Sequence, residues 1–316
     1  MNQKTLGIHH ITAIASKPQQ NYDFYAKVLG LRLVKRSVNQ DQTEAYHLFF
    51  GDKTGEPGMD LTFFTFDPIL QGARGPGQVT QISLAVSEDA LNFWLERIKL
   101  KNIKHETPET RFGLKRVTFY DPDGQKLELV AVTQDAFGEA SGELWETKEV
   151  KKDKAIGYFY SAQLSVISMP VMEMIVTNLL GFVKVDQEGS IDLYQLPNQS
   201  RGAYLEINQD PNHNAAINAA GTVHHIAFQV EDEKHLESMR KEIIEMGLYP
   251  TEVIDRFYFK SVYFRTPAGI LFELATNGPG FTVDEKQETL GQTLKLPPWL
   301  EEQREKIVSQ LEPIEM

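Results

Sequence analysis

Apolar residues in this chain fall into short extended runs separated by turn signals. One order of elements recurs four times: an apolar strand, an amphipathic helix, then two or three further strands. The first copy opens with a strand over residues 7–14, GIHHITAI. Its helix carries an apolar stripe of Tyr22, Phe24, Tyr25, Val28 and Leu29, with Gly30 at the position where a helix end favours glycine. Extended segments over 31–38, 45–51 and 60–66 complete it. The second copy has a strand over 81–86, a helix over about 89–100, a strand over 115–120, the turn Asp121-Pro122-Asp123-Gly124 and a strand over 126–132. The fourth copy follows the second, with a strand over 223–230, a helix over about 234–246, a strand over 260–265, the turn Thr266-Pro267-Ala268-Gly269 and a strand over 271–276. The third, about 156–208, is built like the first: Leu179-Leu180-Gly181-Phe182 stands where Val28-Leu29-Gly30-Leu31 stands.

Four such βαβββ modules make an α+β fold, and a chain of 316 residues is expected to divide into two domains. The expected boundaries are 1–135 for the first pair of modules, a polar linker at 136–155, 156–280 for the second pair and a tail at 281–316. The tail, with Leu296-Pro297-Pro298-Trp299 and a polar helix to about Leu311, is expected to pack over the domains without chemistry of its own.

Composition narrows the function. Hydrophobic residues at 41% and charged residues at 24% are ordinary globular values. A net charge of -12 with no Lys/Arg block disfavours phosphate backbones and anionic membranes, so no nucleic acid and no membrane partner is expected. The absence of cysteine leaves only His, Asp and Glu to hold a metal. No basic-then-apolar leader opens the chain and no apolar run nears the roughly 20 residues of a membrane span, so a cytoplasmic location is expected.

Two histidine pairs sit at equivalent strand starts, His9-His10 in the first module and His224-His225 in the fourth. Neighbouring side chains of a strand point to opposite faces, so one of each pair is expected to face a given cavity. Alternation groups His10 with Ile8, Thr12 and Ile14, and His225 with Val223, Ala227 and Gln229. On the last strand of the fourth module Glu273 is embedded in LFELA, where an unpaired carboxylate would be costly to bury. Two imidazoles and one carboxylate form the ligand set that leaves open positions on non-haem Fe(II). A single strand histidine is more often structural, and Glu273 alone would as readily pair with Arg256 or Lys260; the two doublets at matching positions turn the balance toward a metal. The repeat supplies a control. The second and third modules carry Gln81 and about Ser161 in place of His225, although Glu128 matches Glu273 and Glu206 lies near the end of the third. The first module has Thr62 at the Glu273 position, so a single metal site assembled from the first and last modules is expected.

These residues resemble the vicinal oxygen chelate superfamily (glyoxalase, bleomycin resistance and extradiol dioxygenase proteins), and within it the ring-cleaving dioxygenases acting on hydroquinones. The likeness is carried by LGIHHIT at 6–12, Phe24-Tyr25 with LGLRLV at 29–34, VHHIAF at 223–228, the segment from Asp255-Arg256 to Thr276, and the tail from GPGF at 278–281 to Pro298. It implies two domains that are each an open mixed β-sheet cup, a homo-oligomer, and Fe(II), with Mn(II) as the alternative occupant, on His10, His225 and Glu273. It further implies active-site roles for His9, Thr12, His224, Arg256 and Tyr263. On that reading the metal brings a phenolate oxygen and O2 together, and the small aromatic substrate leaves as a ring-opened acid. His224 or His9 is suited to proton transfer because imidazole titrates near neutrality. Tyr263 and Arg256 are suited to stabilising negative charge on oxygen. Phe257, Tyr258 and Phe259 are candidates for an aromatic substrate wall, Thr12 for a substrate contact. Two other functions stay open on the same fold: a glyoxalase-like isomerase, lyase or thiol transferase, disfavoured by Thr62, and a non-catalytic protein that binds a small aromatic compound.

Overall fold

A computed structural model describes residues 4–211, 214 and 216–316. All four modules are present. The first contains β1 (Ile8–Ala15), α1 (Pro18–Tyr22), β2 (Arg32–Val38), β3 (Tyr46–Gly51) and β4 (Asp60–Thr65). The second contains β5 (Gln78–Ser87), α2 (Leu91–Leu100), β6 (Glu109–Arg111), β7 (Leu114–Tyr120) and β8 (Lys126–Val132). After α3 (Gln134–Ala140), the third contains β9 (Tyr158–Val166), α4 (Met169–Met174), β10 (Val183–Glu188), β11 (Ile191–Gln195) and β12 (Tyr204–Gln209). The fourth contains β13 (Thr222–Val230), α5 (Glu233–Glu245), β14 (Ile254–Asp255), β15 (Lys260–Arg265) and β16 (Leu271–Thr276), and α6 (Arg304–Gln310) lies in the tail.

The kinship of the modules extends to their helices. Helices α1 and α4 each begin with a proline in the first turn and run on into π-type turns, Asp23–Val28 and Ile175–Leu179. Each ends at a glycine with positive φ, Gly30 at +72° and Gly181 at +93°. A Cβ on Gly30 would lie 2.9 Å from Val150, so the position requires glycine twice over. The first strand of every module is buried almost throughout; all eight residues of β1 are, because helices cover one face and the cup lies on the other.

Two eight-stranded sheets result, ordered β14-β15-β16-β13-β1-β4-β3-β2 and β10-β11-β12-β9-β5-β8-β7-β6. The first therefore joins the first and last modules through antiparallel β1 and β13, and the second joins the two middle modules through antiparallel β5 and β9. The sheets do not follow the division at 136–155, which separates two modules whose starting strands, β5 and β9, are hydrogen-bonded in one sheet. A buried starting strand must be paired on both edges, and each finds its second neighbour in the starting strand of another module. The polar stretch expected as a linker holds α3, capped by Thr133 with Phe137 and Ala140 buried.

The tail is more than a cover. Lys35, fully buried on β2, donates to Asp284 Oδ1 at 2.6 Å, to the Phe281 carbonyl at 3.1 Å and to Glu285. Its ammonium lies 4.9 Å from the Tyr258 ring, and the Tyr258 hydroxyl donates to Asp284 at 3.1 Å. Among the described residues no helix is long and apolar enough to cross a membrane.

Candidate active site

The histidine doublets owe their geometry to irregularities in the β1/β13 pairing. Ile8 faces Phe228 but His10 faces Ala227, so His9 is an extra residue; Thr12 faces His225 but Ala13 faces Val223, so His224 is another. Each doublet thus begins on a β-bulge, a device that re-aims side chains beside functional sites. The bulges let both rings of a pair meet, where strict alternation would put them on opposite faces. His9 Nδ1 lies 2.9 Å from His10 Nδ1, and His224 Nδ1 lies 2.7 Å from His225 Nδ1. The second sheet has bulges at the same places, with Thr80 and Tyr160 as the extra residues. The irregularity therefore belongs to the architecture, and the first sheet furnishes it with imidazoles.

The hydrogen-bond network assigns the tautomers. His9 Nε2 sits 3.1 Å from the Thr276 carbonyl, which only accepts, so that nitrogen carries the proton and His9 Nδ1 is the acceptor. His10 Nδ1–H then donates to His9 and leaves the His10 Nε2 lone pair free. The His224-His225 pair repeats the Nδ1–Nδ1 contact; with the His225 proton on Nδ1, as in His10, His224 carries its own on Nε2, and the His225 Nε2 lone pair points toward Glu273 and Thr12 Oγ1. Burial, and after it the neighbouring His10 or His225, lowers both His9 and His224 to about 3, so both are neutral over the working pH range. The expectation that these two titrate near neutrality is thereby corrected: desolvation removes it. His9 is locked to Thr276, and of the two only His224 lines the cavity.

Glu273 is fully buried between them. Its Oε1 accepts from Ser261, while Oε2 has no hydrogen-bond donor and faces His225 Nε2 at 2.9 Å and His10 Nε2 at 3.2 Å. The two Nε2 atoms are 3.2 Å apart. Burial pushes the carboxyl pKa up, so the positive charge that outweighs it and keeps the group ionised has to come either from protonated His10 and His225 or from a cation held among the three side chains. Neither alternative partner reaches it: Arg256 pairs with Asp41 and Lys260 with Glu233. Three lone-pair atoms converging in a buried space repel one another unless a cation lies among them. Metal–ligand bonds of about 2.1 Å place donors about 3.0 Å apart at right angles and about 3.4 Å apart at tetrahedral angles. The observed 2.9–3.2 Å fits three adjacent octahedral corners, the 2-His-1-carboxylate arrangement. These three residues form the only such His/Asp/Glu group among the described residues.

Above them lies a cavity of about 440 Å³, lined by His10, His47, Phe49, Phe64, His224, His225, Arg256, Tyr258, Phe259 and Tyr263 among others. Tyr263 faces Glu273 across the β15/β16 pairing, and its hydroxyl accepts from Arg256 Nε at 3.3 Å. Thr12 is not on the cavity wall; its Oγ1 lies 2.9 Å from His225 Nε2 and 2.7 Å from Thr62 Oγ1, within the ligand cluster. Phe257 is also off the wall, because its φ of +73° turns it toward Tyr258 and Trp299. Tyr258 and Phe259 do line it.

The match to family models runs over residues 7–129 and 165–274, to the model described as Glyoxalase/Bleomycin resistance protein/Dioxygenase superfamily. The chain belongs to that superfamily. MhqA and MhqO of Bacillus subtilis (strain 168), which carry the provisional name of ring-cleaving dioxygenase, are 38% and 41% identical to it over at least 99% of both chains. The chlorohydroquinone/hydroquinone 1,2-dioxygenase of Sphingobium indicum is 32% identical over 95% of this chain and 94% of its own. A crystal structure of a provisionally named Bacillus subtilis dioxygenase superposes with a TM-score of 0.94 at 40% identity, over 99% of this chain and 98% of that one. Glyoxalase I from Zea mays, at 16% identity, 86% and 92% coverage and a TM-score of 0.62, shares the fold and no more. Within the superfamily, the full-length relatives make this chain an enzyme of the ring-cleaving dioxygenase class, an oxidoreductase.

The second sheet of this superfamily member shows what occupies the equivalent place when imidazoles are absent. Gln81 and Ser161 stand for His225 and His10, Glu128 for Glu273 and Glu206 for Thr62. Fully buried Arg116 donates to Glu128 at 2.9 Å and to Glu206 at 2.6 Å, and Arg111 bridges the same two carboxylates at 2.9 and 3.0 Å. Two guanidinium groups thus supply the positive charge that two carboxylates need. Sequence reading missed His47, whose Nε2 is 3.0 Å from Thr62 Oγ1 and whose ring lies 3.8 Å from Phe49 and 4.5 Å from Phe64. Its signal was available, since His47 and Phe49 share a face of β3, but nothing in the sequence set that face toward β13.

Proposed function

We propose that this enzyme opens the aromatic ring of a hydroquinone or catechol-like compound with O2, using Fe(II) held by His10, His225 and Glu273, with Mn(II) as the alternative ion. The observation that carries the reading is the convergence of three ligand atoms, one of them a buried Glu273 Oε2 without a hydrogen-bond donor among the described residues, at the floor of a cavity walled by aromatic rings. Bound Fe(II) supplies the electron-transfer path between phenolate and O2 that their spin states otherwise deny them.

The chain's own residues do the rest. Phe49, Phe64 and Phe259 give a flat ring apolar faces to stack on and keep water from it. Burial, and after it the Glu273 charge, holds the Tyr263 phenol protonated far above its ordinary range, so Tyr263 donates a hydrogen bond to substrate oxygen. Arg256, supporting Tyr263 through Nε, stabilises negative charge that develops on oxygen. His224 Nε2–H is a second neutral donor. Burial keeps His47 neutral, well below its ordinary pKa, and its ring lines the cavity beside Phe49 and Phe64, where it offers a hydrogen bond to the substrate's hydroxyl.

The test is paired. His225→Ala and Glu273→Ala should each abolish Fe(II) binding and hydroquinone-dependent O2 uptake while leaving the circular dichroism spectrum native. Turnover retained in either variant would overturn the assignment, and substrate conversion without O2 consumption by the parent protein would favour an isomerase.

A further inference from the structure

We propose that Asp41 is a specificity-determining residue: by neutralising the Arg256 guanidinium at the cavity mouth, it selects substrates whose ring carries no anionic substituent. The inference rests on the ring-cleaving reading of the same cavity and adds the class of ring that fits.

Asp41 lies on the loop between β2 and β3, and both it and Arg256 line the cavity. Their contact is two-pronged, Nη1 to Oδ1 at 3.4 Å and Nη2 to Oδ2 at 3.2 Å. Gln40 Nε2 donates to the Arg256 carbonyl at 3.0 Å and fixes the loop against the β14 end of the sheet. The guanidinium side chain is 19% exposed and the carboxylate 73%, so the acid sits on the solvent side of the pair. Histidines aside, no other lining residue among the described residues is ionisable to a charge near neutral pH. A divalent ion, Glu273, Arg256 and Asp41 together leave one positive charge, which one phenolate satisfies. A ring carboxylate would bring a second negative charge to a mouth whose cation is already engaged and whose outermost group is itself an anion. With Asp41 uncharged, the planar fork of Arg256 becomes free to take a carboxylate in two-point contact.

The measurement is equilibrium binding to the Fe(II)-loaded protein under nitrogen, with two probes of nearly equal shape, 2,5-dihydroxybenzamide and 2,5-dihydroxybenzoate, on the parent and on Asp41→Asn and Asp41→Ser. Because the pair is partly exposed to water, the expected shift is moderate: the parent prefers the amide, and the amide-to-benzoate affinity ratio falls about tenfold in both variants. A ratio that is the same in parent and variants, or no measurable binding of either probe to any of the three proteins, would overturn the proposal. Failure of the ring-cleaving reading is seen separately, as absence of hydroquinone-dependent O2 uptake by the parent, and the binding ratio does not depend on that turnover.

Discussion

The first histidine of each doublet sets the proton on the second, and His9 allows that role to be separated from packing. Its ring makes two hydrogen bonds, Nδ1 to His10 at 2.9 Å and Nε2 to the Thr276 carbonyl at 3.1 Å. An asparagine at position 9 places its carbonyl oxygen near the old Nδ1 and still accepts from His10; a glutamine reaches the Nε2 position and serves Thr276 alone. Both rings are almost wholly buried, 4% and 1% exposed, so a lost acceptor leaves His10 Nδ1–H with no water to turn to. A buried donor without a partner costs about 1–3 kcal/mol, which is roughly 5- to 150-fold in an equilibrium constant. Changes to groups that orient metal-bound histidines commonly weaken affinity by about 10–100-fold, the same range. His9→Gln should therefore weaken Fe(II) binding by about 10–100-fold, and His9→Asn by no more than about threefold. Competition against a chromophoric chelator, under nitrogen, measures both. Equal affinities in the two variants, or weaker binding by asparagine than by glutamine, would refute the tautomer assignment.

Replacing Arg116 with alanine leaves Glu128 and Glu206 without their central cation and should lower stability by about 3–5 kcal/mol by urea titration, with iron stoichiometry of the folded protein unchanged. His47→Leu should lower kcat/KM for ring cleavage by about tenfold with metal affinity preserved; an unaltered kcat/KM in stopped-flow assays would remove His47 from contact with the substrate. Asp121, on the turn between β7 and β8, is pushed up to about 7, chiefly by burial. The folded state therefore holds its proton more tightly than the unfolded chain, so stability from this group is present at low pH and is lost as pH rises from about 4 to about 7. Asp121→Asn keeps an acceptor for the Asp123 and Gln125 amides, and its urea midpoint should gain on the parent across that window and then level off. A difference that does not vary with pH would count against the shifted carboxyl.

Much of this was legible from local pattern. The strands over 126–132, 260–265 and 271–276 are found as the alternation sets them, and β1 to β4 lie within about a residue of expectation. The repeat comparison that placed Gln81, Ser161, Glu128 and Thr62 opposite the ligands agrees with the observed strand registers, because every module uses the same parallel pairing of first and last strand. What local pattern does not contain is which module pairs with which. Division by halves of the chain misplaced the sheets, while the ligand comparison, which required the first and last modules to share a site, pointed to the observed pairing. The bulges at His9 and His224 were hidden for the same reason: an extra residue exists only relative to a partner strand. Phe257 is turned off the cavity wall by a positive φ that its residue type does not announce, and the Lys35–Asp284 contact joins residues 249 positions apart, beyond the reach of any short window.

Pairing the outermost modules also has a consequence for synthesis. His10 and His225 are separated by 215 residues, with Glu273 later still. The inner sheet has all its strands by Gln209, so it can form while the outer sheet still waits for its second half. A ribosome-bound chain thus carries His10 without its partner side chains until the fourth module has emerged, and competence to capture an ion arrives only with the last strand of that module.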